Sequence, residues 1–300
     1  MARLLLIANP VAARTRPAML ARIVETVRRA GWEVEPVQTA GPGDARVLAE
    51  AGVRAGVDAV AVFGGDGTTM QAAAALVGTG IPLGLIAGGT GNLLARNLRL
   101  PTDPVRAARV IMAGTPRPYD LGRLVSAAGE QYFAVACGAG YDARVMTATV
   151  SRDKRRWGML AYVATTFRLL GKLRSSHHRI TVDGKLYETE AAMLLVANCA
   201  EVIPPFIRMG PAIRPDDGLL DVVALRADGV ADGIRAIWGM LQAGGGEPSP
   251  AGYVGWLRGR EIRVETDPVE PVQLDGDAGG ETPFTATVAP AAVRIILPAR

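Results

Sequence analysis

The sequence predicts an α/β fold followed by an all-β fold, on three observations. In the first third, short apolar runs alternate with helical patterns, the order of βαβ units around a parallel sheet. Those runs are near-continuous rather than alternating, as strands covered on both faces require. After residues 116–119 short strands follow one another with turns between them, the habit of an antiparallel β domain. A chain of 300 residues has room for about two such domains.

Arg3–Ala8 reads as a buried strand that stops at Asn9-Pro10. Over 17–30, Met19, Leu20, Ile23, Val24 and Val27 share one helical face, and Gly31 ends that helix. Residues 33–38 alternate as a second strand, 43–55 read as a helix and 59–63 as a solid strand. A helix over 71–77, a strand over 82–86 and the start of a helix at 93–97 follow. Beyond residue 119, strands are expected over 121–125, 132–136, 179–182, 192–197, 219–225, 261–264, 272–274 and 285–289. Asp183-Gly184 is a two-residue hairpin signal between 180–182 and 186–188. Helices over 158–173 and 231–241 interrupt the strands, and 244–250 reads as a flexible loop.

Composition excludes several classes. With 49% hydrophobic and 21% charged residues, the chain is not intrinsically disordered. Its glycines and prolines keep no fixed period, so it is not collagenous. Cys137 and Cys199 are too few for a disulfide framework or a four-ligand zinc site. Buried, reduced thiols in a cytoplasmic protein are the expectation. The net charge of +4 is small for a nucleic-acid binder, and no nucleic-acid partner is expected. The imbalance is local: residues 152–179 hold eight bases and one acid, and residues 261–281 hold seven acids and one base. A basic face of this kind holds phosphates or an anionic membrane surface, or is simply solvated. Trp157, Leu160, Ala161, Ala164, Phe167 and Leu170 suit either an interfacial helix or core packing. The apolar run at 4–8 is too short for a leader, and glycines and a proline break the uncharged stretch 68–95, so no spanning helix is expected. His177 and His178 lack partners at metal spacing and read as a loop pair beside basic residues.

The chemistry concentrates in loops that follow strands. Gly64-Gly65-Asp66-Gly67-Thr68 joins a solid strand to a helix, so its backbone can approach a phosphate at the helix N-terminus. Asp66 would repel phosphate; it suits a magnesium ion, a ribose hydroxyl or the amides that shape the turn, or it is a helix cap. Gly88-Gly89-Thr90-Gly91-Asn92 repeats the strand–glycine–helix logic, and Asn9-Pro10 ends the first strand. In an open parallel sheet all three loops lie at carboxyl ends, where ligands bind. None is a P-loop or a dinucleotide fingerprint. Asp216-Asp217-Gly218 is either a hard-cation loop or an ordinary type I turn. Asp275, between strand 272–274 and a glycine turn, is a candidate general base or a plain turn aspartate.

Taken in order, Asn9-Pro10, residues 64–68, Gly89-Thr90-Gly91-Asn92 running into Ala95-Arg96, residues 216–221 and Leu274-Asp275-Gly276 carry a resemblance. The sequence resembles the diacylglycerol-kinase catalytic-domain family, in particular the bacterial soluble lipid kinases, related to sphingosine and ceramide kinases. The resemblance implies an ATP-dependent lipid kinase with a phosphofructokinase-like α/β domain over 1–117 and a β-sandwich lipid-substrate domain over 118–300. The last residues are allowed to return to the first domain, and nucleotide is expected in the cleft between. By the same resemblance Asn9, Thr39, Gly65, Asp66, Gly67, Thr68 and Thr90 match nucleotide-binding positions. Pro10, Gly64, Gly89, Gly91 and Asn92 complete that set. Asp275 matches the general base. Asp217 matches a Mg2+ site, with the Arg214 and Leu219 carbonyls as its backbone ligands.

The chain departs from the family at Met70-Gln71 (usually Asn-Glu), Ala87 (commonly Pro), Asp277 (usually Glu) and Pro204-Pro205 (a Gly-Gly region). The expected function is transfer of the γ-phosphoryl group of ATP to a lipid hydroxyl, with diacylglycerol or a related lipid as substrate at the membrane surface. The expected setting is cytoplasmic with peripheral membrane association, a homodimer being left open. The rival enzyme is a NAD kinase, which shares the GGDG element but needs a second Asn-Glu motif not found here. The non-enzyme rival is a nucleotide- or lipid-binding regulator; Met70-Gln71 favours it and Asp275 counts against it.

Overall fold

A computed structural model of the chain describes residues 1–140, 175–203, 207–208, 213–227, 231–232 and 254–299. The expected helix over 158–173, most of that over 231–241, the loop 244–250, Pro204-Pro205 and nearly all of the basic run lie outside the described residues. The chain forms two compact units, Met1–Tyr119 with Ala291–Arg300, and Asp120–Pro290.

The first unit runs β1 (Arg3–Ala8), α1 (Pro17–Arg29), β2 (Glu33–Gln38), α2 (Asp44–Arg54), β3 (Ala59–Gly64), α3 (Asp66–Leu76), β4 (Pro82–Ala87), α4 (Leu93–Asn97) and α5 (Pro104–Ala113). Its strands are parallel in the order β2-β1-β3-β4. All six residues of β3 are buried, as a strand covered on both faces must be. Leu4, Leu6, Phe63, Ile23, Val27, Ala107, Ala108 and Ile111 form one core between sheet and helices. Each fully buried Leu, Ile or Phe contributes roughly 1.5–3 kcal/mol of transfer free energy.

Helix α5 was not foreseen, although its start is written in the sequence. The Asp103 carboxylate accepts the Arg106 N–H at 2.8 Å, and Pro104 fills the first turn, where no N–H is needed. Helix α3 begins at Asp66, five residues before the expected start at 71, so half of the first glycine loop is helix.

The strands that follow are β5 (Thr115–Ser126), β6 (Gly129–Phe133), β7 (Ala136–Gly140), β8 (Ser176–Val182), β9 (Lys185–Ala191), β10 (Met193–Ala197), β11 (Glu201–Ile203), β12 (Ile207–Arg208), β13 (Leu220–Leu225), β14 (Val254–Gly259), β15 (Glu261–Asp267), β16 (Pro271–Leu274), β17 (Asp277–Glu281) and β18 (Phe284–Leu297). In the second unit, one antiparallel sheet runs β9-β8-β15 and on to the first half of β18, and another runs β14-β13-β10-β7-β16-β17. Ile180, Val182, Ile262, Val264 and Phe284 of the first sheet pack with Leu194, Val196, Leu220, Val222, Val272 and Leu274 of the second. This shared core makes the unit a β-sandwich. The end of β18 belongs to the first unit, where Arg294 and Ile295 pair in parallel with Pro82 and Leu83.

Two expectations need correction here, and strands β14 and β17 were not expected. The strand expected over 132–136 is two strands, β6 and β7, broken at Ala134-Val135. The N–H groups there go to the Asp275 carboxylate instead of a strand ladder. His177 and His178 are not in a loop: they lie in β8 opposite Asp267 and Thr266. Strands β14 and β17 carry no clear sequence pattern; β17 reads Asp-Ala-Gly-Gly-Glu and owes its existence to pairing with β16. The Asp183-Gly184 hairpin forms as expected, with both residues at positive φ and Val182 opposite Lys185. Among the described residues no helix is long and apolar enough to cross a membrane.

Candidate functional site

In the first unit the loops after β1, β3 and β4 stand side by side, because those strands are neighbours. Backbone hydrogen bonds lock them together. The Asn9 N–H donates to the Phe63 carbonyl at 2.9 Å, Gly88 N–H to Gly64 at 2.8 Å, and Arg14 N–H to Gly88 at 2.9 Å. Such crossing demands glycine: a Cβ on Gly89 would lie 2.7 Å from the Gly65 Cα. A Cβ on Gly65 itself would meet its nearest neighbour, the Gly89 Cα, at 3.6 Å, an ordinary contact.

Side chains complete the cradle. Asn9 Nδ2 donates to the Thr68 hydroxyl at 2.8 Å, and Asn9 Oδ1 accepts the Val11 N–H at 3.1 Å. The Asn92 amide grips Gly89 twice, Oδ1 accepting its N–H at 2.9 Å and Nδ2 donating to its carbonyl at 2.8 Å. Asp66 Oδ1 accepts the Leu94 N–H at 3.3 Å, so the first glycine loop holds the start of α4. This amide contact is one of the readings open for Asp66. Gly65 is the N-cap of α3 and supplies no side-chain cap, so the helix N-terminus beside the cradle carries the positive end of the helix dipole. Thr39 is buried beside it, its N–H donating to the Ala8 carbonyl at 3.0 Å. Pro10 and Thr90 are exposed at the loop tips. Gln71, one of the departures, is engaged: its Oε1 accepts the Gly43 N–H at 3.1 Å and ties α3 to the start of α2.

In the second unit Asp275 and Gly276 both take positive φ and form the two-residue turn between β16 and β17. The half-buried Asp275 carboxylate accepts three backbone N–H groups, from Ala134 at 2.7 Å, Val135 at 2.8 Å and Ala136 at 3.0 Å. Burial, reinforced by the Asp275 charge, pushes the Cys137 thiol well above its ordinary range, so it stays protonated. Asp277 is exposed. Asn198, fully buried, donates to the Asp120 and Ala134 carbonyls at 2.8 and 2.9 Å and so steadies the segment that grips Asp275.

The acidic turn is tied to this segment through Asp120, whose carbonyl Asn198 also holds. Asp217 Oδ1 accepts the Leu219 N–H at 3.1 Å, and the buried Asp120 Oδ2 accepts the Gly218 N–H at 2.7 Å. Arg258 donates from Nε to Asp221 Oδ1 at 3.1 Å and from Nη2 to Oδ2 at 3.0 Å, and Nη2 stands 3.4 Å from Asp217 Oδ2. Arg214 pairs with Asp216 at 3.0 Å. Burial pushes the Asp221 carboxyl above its ordinary value against the pull of Arg258, and the bond to Asp221 raises the guanidinium further. The bidentate geometry keeps the pair ionised at neutral pH. Asp217, the carboxylate ligand of the expected site, therefore already faces a cation and holds a turn amide. The arrangement does not fit the divalent ion that the resemblance implies for Arg214, Asp217 and Leu219. Among the described residues no three His, Cys, Asp or Glu side chains gather as a metal site.

Asp120, Asn198 and Arg258 were not singled out from the sequence. Nothing local marks them, since each acts on a partner at least 37 positions away.

Comparison with known proteins agrees with these two halves. Residues 3–124 match the diacylglycerol kinase catalytic domain, and residues 135–297 match the YegS C-terminal NAD kinase beta sandwich-like domain. A diacylglycerol kinase of Mycobacterium tuberculosis is 30% identical over 281 residues, covering 92% of this chain and 88% of that protein. One from Bacillus subtilis is 28% identical over 287 residues, covering 94% and 92%. A crystal structure of a diacylglycerol kinase from Bacillus anthracis str. Sterne superimposes with a TM-score of 0.77 at 24% identity, over 98% of this chain and 96% of that one, and supports the fold.

Proposed function

Since the chain belongs to the diacylglycerol kinase catalytic-domain family, a family of lipid kinases, we propose that it transfers the γ-phosphoryl group of ATP to a lipid hydroxyl, with diacylglycerol or a related lipid as acceptor. The observation that carries this reading is the interlocked glycine cradle under the uncapped α3 N-terminus. Phosphoryl transfer asks a protein mainly to position oxygens and neutralise charge, and this cradle is built from backbone donors.

In this reading the first turn of α3 and the Gly65 backbone receive the phosphates, while Gly89, its own N–H held by Asn92, lets the second loop approach closely. Thr68, fixed by Asn9, and Thr90 supply hydroxyls, and Thr39 borders the nucleotide. Magnesium supplies charge neutralisation when bound with ATP, and Asp66 is the carboxylate of the cradle that would hold it, since Mg2+ takes one or two carboxylates plus phosphate oxygens. Asp275 accepts the acceptor hydroxyl's proton as the new O–P bond forms and ADP leaves, a step worth roughly 10²–10⁴ in rate. The three amides on Asp275 orient its carboxylate for that task. The basic run over 152–179 would bring the enzyme to an anionic membrane surface where its substrate lies.

An ATP-consumption assay against diacylglycerol, monoacylglycerol, sphingosine, ceramide, phosphatidylglycerol and NAD tests the proposal. Consumption with a lipid, and recovery of its phosphate, is the expected result. Phosphorylation of NAD alone would replace the reading with a NAD kinase. Nucleotide binding without turnover on any acceptor would leave a binding protein.

A further inference from the structure

We propose that Arg258 is itself the cation of the acidic turn, holding residues 215–221 in their folded form so that no divalent metal is needed there.

The register of the sheet delivers the arginine. Strands β13 and β14 pair antiparallel with Asp221 directly opposite Arg258. A directly opposed pair of opposite charges is the most favourable cross-strand geometry for an ion pair. The guanidinium reaches Asp221 with two parallel bonds, at 3.1 and 3.0 Å, and spans on to Asp217 at 3.4 Å. One planar, permanently charged group thus joins the second residue pair of the strand to the turn before it. Side-chain exposure falls from 36% at Arg258 to 22% at Asp217 and 11% at Asp221, so the network points inward, away from the screening solvent.

The turn's own amides are already used. Leu219 N–H goes to Asp217 and Gly218 N–H to Asp120, while the Asp120 N–H goes to the Pro215 carbonyl at 2.8 Å. Asp120 therefore clamps the turn from both ends, and Arg258 balances the acids that remain. A divalent ion on Asp217 would sit beside a guanidinium and would compete with the Leu219 bond. Mg2+ also sheds its water reluctantly and demands near-octahedral oxygen ligands. An arginine in this place does the same electrostatic work without dehydration of a metal.

The test reads folding and metal binding in the absence of nucleotide, so it is independent of the kinase reaction. Thermal unfolding of the wild type should be the same in chelator and in millimolar Mg2+ or Ca2+. Arg258→Met should unfold several degrees lower in chelator and recover part of that loss when Mg2+ is added, because Asp217 and Asp221 are then left without their cation. Arg258→Lys, which keeps charge but loses the fork, should fall between the two. If Arg258→Met fails to fold, calorimetric titration of Mg2+ into the wild type decides alone, and no saturable heat that depends on Asp217 is expected. A wild-type transition that rises saturably with Mg2+, or a binding heat abolished by Asp217→Asn, would overturn the proposal. So would an Arg258→Met variant as stable as the wild type.

Discussion

Three backbone amides fix Asp275, and that geometry decides how its replacement reads. Asp275→Asn turns an NH2 group toward at least one of those donors, so it should cost about 1–3 kcal/mol of stability as well as basicity. Turnover of the folded variant should drop by roughly 10²–10⁴ with ATP affinity unchanged, since the lost proton transfer belongs to the transition state. Asp277→Asn, at an exposed position, should do much less. Steady-state kinetics on the accepted lipid, with calorimetric ATP titration, separates these effects; near wild-type turnover in Asp275→Asn would place the base elsewhere. The residue itself was legible as an acid before a glycine. Its three partners were not, because they lie at least 139 positions away and depend on how β7 meets β16.

His178 makes a second residue-scale prediction. It is fully buried, its Nδ1 donates to the Ser176 carbonyl at 2.9 Å, and burial lowers its pKa despite nearby Glu270 and Glu190. The unfolded chain then takes up a proton more readily than the folded one. The stability this neutral histidine supports is intact above about pH 6.5, the value of an unperturbed imidazole. It drains away as pH falls toward the lowered folded-state value. His178→Asn keeps a donor for Ser176 but does not titrate, so its denaturation midpoint should change less between pH 7 and 5 than the wild type's. Parallel curves would show that His178 is not responsible. Period-two alternation separates exposed His177, paired with Glu190 at 3.1 Å, from its buried neighbour. Two adjacent histidines give no such hint until the strand is known.

At the scale of elements, the cradle allows its two glycine functions to be separated. Gly89→Ala forces a methyl against the Gly65 backbone at 2.7 Å and should cost about 1–3 kcal/mol of stability. Gly65→Ala meets nothing closer than 3.6 Å at an extended φ of −93°, so the fold should survive. Its methyl would nevertheless crowd the α3 N-terminus, and ATP affinity should fall. Thermal unfolding and calorimetry on the same two proteins check both statements; unchanged ATP affinity in Gly65→Ala would remove the phosphates from that helix end. Strand–glycine–helix order was readable here because periodicity and loop chemistry are local. Where α3 begins was not, since Asp66, Gly67 and Thr68 look like loop residues until the Thr69 N–H is seen donating to the Gly65 carbonyl at 3.0 Å. Strand β17 failed for the opposite reason: its residues are poor strand formers, and only its partner makes it one.

At the scale of the whole molecule, uneven charge supplies the remaining prediction. If the run over 152–179 meets the membrane, the protein should sediment with anionic vesicles and less so as salt rises, because exposed charges are screened beyond about 10 Å at 0.1 M. Neutralising Arg155 and Arg156 should weaken vesicle binding and leave ATP binding intact; equal sedimentation with neutral vesicles would make the run a solvated face. The change of fold class near residue 119 was legible as a change in rhythm. The Arg258 pairings were not, for they rest on β13–β14 register across a long separation.

The chain order of the two units has a consequence for biosynthesis. Residues 120–290 are interposed within the first unit, whose fifth strand segment, carrying Arg294 and Ile295 against Pro82 and Leu83, comes from the far end. Ile296, part of that unit's core with Leu4 and Phe63, arrives with it. A ribosome therefore releases the glycine cradle early but must translate the entire second unit before the sheet beneath the cradle gains its edge. Until then β4 offers an unpaired edge in the nascent chain, the kind of surface that chaperones and stray strands compete for.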